Sequence, residues 1–394
     1  MRPTDEGAAT GAGSRTAPSV LPLREAACRY WRRRGLPTDP VQVAVAPGAP
    51  LLLLAVLAAA GGRDRPDDPG SVLLPHPCSS WYGPQARALG RAVHTVPVPV
   101  ECGGTPDPFA LLETVRRARG AGQAPRVLVL SVADDVTGTA APPELLHEVC
   151  EAAVDEGLLI VSDESWRDTS HDPHDTVFVS PAEMLAGTEQ ADHVVVLAEL
   201  GSALLPPDLR AGIARFPGAG RGRLLGEQVH EALGALHAPL PGQVAAVAAE
   251  ALSEPEPLLA RRAAEAGLRG TLARALHSAL VGAGALCRPP HLGRYLYADL
   301  DPLRPRLAAR GVTDAPRLEA ELVRALGPYA EGGHHFGDDP RELRVRLSTD
   351  LLTAAGARRP SGPAEHASGE LPGVAEALAQ VQSVLADLTD GSPQ

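Results

Sequence analysis

Short apolar runs rich in β-branched residues alternate with helical segments along the first half of the chain. Three clear runs are RVLVLS at 126–131, LLIVS at 158–162 and HVVVL at 193–197. Uninterrupted apolar strands that alternate with helices indicate a mostly parallel sheet with both faces covered. This alternation therefore predicts an α/β fold.

The remaining elements are predicted from apolar periodicity and from turn residues. Strands are predicted at 41–46, 71–74, 94–98, 126–131, 158–162, 193–197 and 211–215. Helices are predicted at 21–35, from 49 to about 60, ending at 85–90, and at 108–120 and 143–156. After residue 223 the pattern changes to long helices at 223–236, 241–253 and 256–283, then a strand at 294–300, a helix at 315–326 and a strand at 344–348. An amphipathic helix is predicted at 374–388, so we expect a second, smaller α/β unit.

The chain contains no lysine, since all 36 residues counted as Lys plus Arg are arginine. A Schiff base needs a lysine amine, so the composition excludes imine chemistry on an aldehyde cofactor or on a sugar carbonyl. The net charge of -12 argues against a nucleic-acid-binding protein, which needs a basic face. The sharpest basic cluster, Arg32-Arg33-Arg34, is interpreted as the solvated end of a helix.

Cysteine usage and hydropathy predict a cytoplasmic protein. The five cysteines are odd in number and form no CxxC pair, which favours reduced thiols. The longest apolar run, 49–60, is about 12 residues and too short to span a bilayer. We therefore expect no membrane partner.

The order of several segments resembles the class I/II aminotransferases, the fold-type I pyridoxal-phosphate family. These segments are LREAACRYWRRRG (23–35), VAVAPGA (43–49), LSVADDVTG (130–138), VSDESW (161–166), AELGSALLPPDLRAG (198–212), GRYLYADL (293–300) and VRLST (345–349). The resemblance covers about residues 21–357. It implies a large domain with a mostly parallel sheet and a smaller C-terminal α/β domain.

The resemblance also implies roles for residues that match the family. Asp163 would pair with the pyridinium nitrogen, and Arg210 would bind the cofactor phosphate through its planar fork. Arg346 would clamp the substrate carboxylate. Gly48 and Ala49 match the turn that offers backbone N–H groups to phosphate at a helix N-terminus. Each has a structural alternative: Asp163 could cap a turn, and Gly48 could be kept only because the turn needs it. Both arginines could pair with acids of the chain such as Asp135, Glu199 or Asp163.

Other matching positions depart from the family, and the departures concentrate on the cofactor. Ser202 stands at the Schiff-base lysine, and a serine hydroxyl forms no imine. Asp135 replaces an asparagine that donates to the cofactor phenolate, and Trp166 replaces a tyrosine that binds the same oxygen. Glu199 replaces a phosphate-binding serine, and Pro50 lacks the N–H of a cradle residue. We expect drift of a disused site, or redesign for another ligand.

The expected organisation follows from the resemblance. Residues 1–20 are expected to be a disordered tail, 21–240 an N-terminal segment and large domain, 241–358 a small domain, and 359–394 a linker (359–372) and terminal helix. Because the family's active site forms between two subunits, we expect a homodimer, or a heterodimer with an intact aminotransferase homologue.

Three functions stay open at this point. The first is a degenerate, non-transaminating homologue that binds an anionic small molecule or acts as a dimer partner. The second is an enzyme that holds pyridoxal or pyridoxamine phosphate non-covalently, and the third is a repurposed enzyme without a cofactor. No metal site is expected: His171-Asp172-Pro173-His174-Asp175 has metal-binding residue types but looks like a flexible loop. His334-His335 is interpreted as a solvated loop or a substrate contact.

Overall fold

The computed structural model describes residues 20–61, 69–99, 102–357 and 373–389. The expected tail at 1–20 lies outside this part except for Val20, and the expected linker at 359–372 lies outside it entirely.

The first part of the chain alternates strands and helices as the apolar pattern predicts. Its elements are α1 (Leu21–Arg33), β1 (Val43–Ala46), α2 (Ala49–Ala59), β2 (Ser71–His76), α3 (Tyr82–Ala88), β3 (Val93–Pro97), α4 (Pro108–Gly120), β4 (Pro125–Ser131), β5 (Ala133–Asp134), β6 (Thr139–Ala140), α5 (Pro143–Asp155), β7 (Leu159–Asp163), α6 (Pro181–Met184), β8 (Val194–Glu199), β9 (Gly212–Arg215), α7 (Gly220–Ala235) and α8 (Gly242–Ala251).

The second part begins with a long helix and contains the C-terminal strands. Its elements are α9 (Glu256–Gly282), β10 (Leu286–Cys287), β11 (Tyr295–Asp299), α10 (Arg304–Ala309), α11 (Ala315–Leu326), β12 (Ala330–Gly332), β13 (Arg344–Ser348), α12 (Asp350–Ala357) and α13 (Val374–Thr389).

Two larger sheets and the two-stranded β5–β6 hairpin organise these elements. The seven-stranded sheet has the order β1-β9-β8-β7-β4-β2-β3, and β3, β2, β4, β7 and β8 run parallel to one another. Strand β9 is antiparallel to both of its neighbours, β1 and β8. A four-stranded antiparallel sheet, β10-β11-β13-β12, forms the smaller part. The predicted fold class, a mostly parallel large sheet with a small C-terminal α/β domain, is confirmed.

The burial of β4 on both faces explains why the central strands are uninterrupted apolar runs. Val127 and Val129 are buried on the face that packs against α2, whereas Leu128 and Leu130 are buried on the face covered by α1 and α5. Successive side chains of a strand point to opposite faces, so a sheet covered on both sides needs apolar residues at every position.

A separate core fills the second part of the molecule. It begins with Leu272 in α9 and includes Val381 and Leu385 of α13, the predicted terminal helix. Helix α8 instead buries Ala245 and Ala248 in the same core as α1. The boundary at residue 241 between the two domains stays a prediction.

The interpretation of Arg32-Arg33-Arg34 as a solvated helix end is wrong for Arg34. Its side chain is only 16% exposed, and its Nη2 lies 3.0 Å from Asp168 Oδ1 and 2.9 Å from Glu254 Oε1. Both acids are far away in sequence, 134 and 220 residues respectively, so only the tertiary fold brings the three charges together.

The state of the cysteines and the character of the helices concern the predicted cytoplasmic location of the protein. All five cysteines are free. Among the residues that the structure describes, no helix has both the length and the apolar character needed to cross a bilayer. The cytoplasmic location stays a prediction.

Candidate functional site

The candidate site lies at the carboxyl edge of the large sheet. Strand β7 ends at Asp163, β8 ends at Glu199, and β4 leads into the β5–β6 hairpin, whose turn begins with Asp135. Parallel strands end at the same edge of a sheet, which is where α/β folds bind ligands. The second sheet adds Arg346 from β13 to this cleft.

Asp163 is a buried carboxyl group held by two donors. The Tyr82 hydroxyl donates to its Oδ2 at 2.6 Å, and the Ser165 backbone N–H donates to its Oδ1 at 2.9 Å. Burial raises the pKa of Asp163 to about 6, although both hydrogen bonds act in the opposite direction. Asp163 therefore has the turn-capping contact that the structural alternative predicted.

Two further carboxyl groups lie beside it. Asp135 accepts a hydrogen bond from the Ser79 hydroxyl, and burial raises the pKa of Asp135 while Arg346 lowers it. Asp134 accepts from the Thr137 backbone N–H at 3.1 Å. Burial, followed by the charge of Asp135, raises the pKa of Asp134 to about 6. The cleft thus concentrates three carboxyl groups.

Arg346 is already neutralised by acids of the same chain. Its Nε lies 2.9 Å from Glu331 Oε2, and its Nη1 lies 3.5 Å from Asp135 Oδ2. The guanidinium also stacks on Tyr295 and Phe336, at 4.0 and 4.3 Å from the ring centroids. A buried arginine is costly without a counter-charge, and here the counter-charges are internal.

Ser202 lies in the 3₁₀ turn that follows β8 and is linked to Asp163 through Ser165. The Ser202 hydroxyl donates to the backbone oxygens of Ser165 and of Glu199. Ser165 in turn donates its N–H to Asp163 and accepts from the Glu199 N–H at 3.0 Å. The fold therefore brings Ser202 and Asp163 into one site; the assignment of Ser202 to the lysine position stays a prediction.

Glu199 occupies the N-terminus of α2. The Ala49 backbone N–H donates to its Oε2 at 2.8 Å, and the Gly201 N–H donates to its Oε1 at 3.2 Å. Gly48 precedes the helix with a φ of 126°, and a Cβ at Gly48 would lie 3.0 Å from the same Oε2. A helix N-terminus attracts anions, and in this structure the anion is a side chain of the protein.

Three further predicted contact residues are Pro50, Arg210 and Trp166. Pro50 is the second residue of α2. Arg210 is exposed in the loop before β9, and within the described ranges it forms no ion pair. Trp166 packs edge-on against Tyr295, with 6.0 Å between ring centroids.

The residues present do not fit covalently bound pyridoxal phosphate. There is no lysine to form the imine. A phosphate oxygen at α2 would compete with the Glu199 carboxylate for the Ala49 N–H and would meet a like charge. No chemical step through this cofactor follows from the geometry.

Sequence reasoning missed three residues that shape the site, namely Tyr82, Ser165 and Glu331. Tyr82 lies within the apolar start of α3, and Ser165 lies within the quoted VSDESW segment. Glu331 lies in β12, which follows α11 after a short loop, and it pairs with Arg346 across the β12–β13 ladder. No local signal could have found Glu331, because a cross-strand pair of opposite charges depends on a strand register that the sequence does not show.

The comparisons with known proteins agree on the fold. Thermus thermophilus aspartate aminotransferase (tetra mutant 1) has a TM-score of 0.74 at 21% identity, covering 93% of this chain and 87% of that one. The aromatic aminotransferase from Pyrococcus horikoshii OT3 has a TM-score of 0.74 at 19% identity, covering 94% and 87%. At such identities, the likeness shows the fold alone.

Sequence similarity points in the same direction. The probable aspartate/prephenate aminotransferase of Thermus aquaticus is 30% identical over 204 residues, which are 51% of this chain and 48% of that protein. The chain thus spans about half the length of this curated relative in the match. The profile of the family "Aminotransferase class I and II", whose members normally use pyridoxal phosphate, matches residues 9–355. The chain therefore belongs to the class I and II aminotransferase family.

Proposed function

We propose that this chain is a non-transaminating member of the family and that it serves as a subunit partner of another aminotransferase-type chain. The observation that carries the proposal is the Glu199 carboxylate on the Ala49 N–H, at the position where the family resemblance puts phosphate. The absence of lysine removes imine chemistry independently.

The charges in the cleft distinguish the two roles of a non-transaminating homologue, namely a dimer partner and a protein that binds an anionic small molecule. Glu199 takes the anion position at α2, and Glu331 and Asp135 together neutralise Arg346. An anionic small molecule would therefore have to displace carboxylates of the protein at both ends of the cleft. This arrangement favours the partner role over the binding of an anionic small molecule.

Retention of the family fold supports the same choice. Polar groups of the site are satisfied within the chain, as in the Tyr82–Asp163 and Ser79–Asp135 hydrogen bonds. Buried polar groups destabilise a fold mainly when they lack hydrogen-bond partners. These internal contacts therefore favour a fold that is stable without a ligand. The family resemblance implies an active site that forms between two subunits, so we expect a second subunit to contact this chain there.

The experiment is co-expression with a tagged, lysine-bearing family member, followed by native mass spectrometry. We expect a mixed dimer to be recovered along with each chain's own species. Recovery of this chain only as a monomer, both alone and after co-expression, would contradict the partner role. Aspartate with 2-oxoglutarate should give no product above background with this chain alone.

A second candidate is an enzyme that holds pyridoxal or pyridoxamine phosphate without a covalent bond. Asp163 favours it, because a carboxyl group is kept at the end of β7 where the family would pair with the pyridinium. Equilibrium dialysis with pyridoxal phosphate distinguishes the two. Micromolar retention that Asp163→Ala abolishes would support this candidate, whereas no retention supports the non-transaminating one.

A further inference from the structure

We propose that Glu319, His334 and His335 form a binding site for a divalent transition-metal ion, with Zn²⁺ as the best match. Glu319 lies on α11, and the two histidines lie in the 3₁₀ turn that follows β12. One ligand atom from each residue lies within 4.8 Å of the other two. Within the described part of the chain, this is the one group of three such residues that meets this distance.

The distances suit a tetrahedral ion. Glu319 Oε2 lies 2.9 Å from His335 Nε2 and 3.8 Å from His334 Nε2. Ligands at ordinary Zn–N and Zn–O lengths are separated by about 3.3 Å in a tetrahedron, and the two observed distances lie on either side of this value. Small side-chain rotations would therefore place an ion between the three atoms.

A backbone N–H holds the Glu319 carboxylate beside the two histidines. The Gly332 N–H donates to Glu319 Oε2 at 2.9 Å, and this bond orients the carboxylate towards the histidines. The rings of His334 and His335 lie with their centroids 4.0 Å apart, so both imidazoles approach Glu319 from the same side. Outer contacts of this kind orient ligands in metal sites.

The donor set indicates the class of metal. Imidazole nitrogens suit zinc, copper and nickel, whereas Ca²⁺ and Mg²⁺ prefer oxygen ligands. Three protein ligands leave a fourth position for water or for a ligand from outside. The sequence suggested no such site because Glu319 precedes His335 by 16 residues and belongs to another element.

The site is tested on the full chain by competition of Zn²⁺ with a fluorescent chelator. We expect one Zn²⁺ per chain, and we expect Co²⁺ to give the visible absorption of four-coordinate cobalt. Glu319→Gln and His335→Gln should each weaken Zn²⁺ binding by about ten-fold or more. Both variants keep a side chain that can form hydrogen bonds, and their circular dichroism and melting temperatures without metal check that they fold.

His147→Gln is the matched control. His147 lies 3.4 Å from Glu151 on α5, so it forms a histidine–carboxylate pair without a third ligand. Its variant should bind Zn²⁺ as the unmodified chain does. The absence of stoichiometric binding would overturn the proposal, and so would an equal loss of affinity in His147→Gln and His335→Gln.

Discussion

The cleft contains acidic side chains at two places, and they are neutralised in different ways. At the start of α2, the Glu199 carboxylate accepts hydrogen bonds from the backbone N–H groups of Ala49 and Gly201. At β13, Asp135 and Glu331 are opposed by the guanidinium of Arg346. The first arrangement would become an anion site again after one substitution. The second would leave two carboxylates without their shared cation if Arg346 were removed.

The largest effect is expected from Arg346→Met. The variant leaves Asp135 in a buried position without its cation, and breaking a buried ion pair costs about 3 kcal/mol. Urea denaturation measures the loss of unfolding free energy. Arg116→Met is the matched control, because Arg116 pairs with Glu113 on the surface, where ion pairs contribute little and the loss should be much smaller. Equal losses in the two variants would show that the Arg346 pairs contribute no more than surface pairs.

The next effect concerns Glu199→Ser, which frees the Ala49 N–H. We expect a loss of about 1 kcal/mol in unfolding free energy, as for the loss of a helix cap. We also expect millimolar inorganic phosphate to raise the melting temperature of the variant but not that of the unmodified chain. Glu199→Gln is the control: its amide oxygen still accepts from Ala49 and blocks the position. A phosphate response in Glu199→Gln would contradict this explanation.

The contribution of Asp163 to the unfolding free energy is expected to depend on pH. Its pKa is raised to about 6, so the folded state holds the proton more tightly than the unfolded state does. The resulting stability is present below the unfolded pKa of about 3.9 and is lost as the pH rises through about 6. The unfolding free energy of the unmodified chain minus that of Asp163→Asn should be about 1 kcal/mol larger at pH 5 than at pH 7.5. A difference that is constant with pH would refute the raised pKa.

The smallest effect is expected from Glu331→Gln. The Glu331 side chain is 47% exposed, and Asp135 remains as a counter-charge for Arg346. We expect a loss below about 1 kcal/mol in urea denaturation. A loss as large as that of Arg346→Met would show that Glu331, rather than Asp135, is the essential partner of the arginine.

Most of the fold could be predicted from the sequence because its signals are local. The helices α4 and α11 begin and end where the apolar periodicity and the proline and glycine residues place them. The strands β10 and β12 were missed. They contain only two and three residues, and the pairing that defines them comes from β11 and β13, not from their own composition.

The site could be predicted only in part. The apolar pattern predicts a strand at 158–162, and β7 ends one residue later, at Asp163. The partner of a charge does not follow: Glu331 was not among the acids that the sequence suggested for Arg346. Strand register and domain packing decide which acid is within reach, and neither is visible in the local sequence.

The carboxylate at the start of α2 has a consequence for how the protein persists in a cell. A fold that depends on an external anion to complete a helix has a stability set by the supply of that anion. In this chain, the completing group is covalently attached through Glu199 and is always present. The stability of this helix end should therefore not depend on the supply of an external anion.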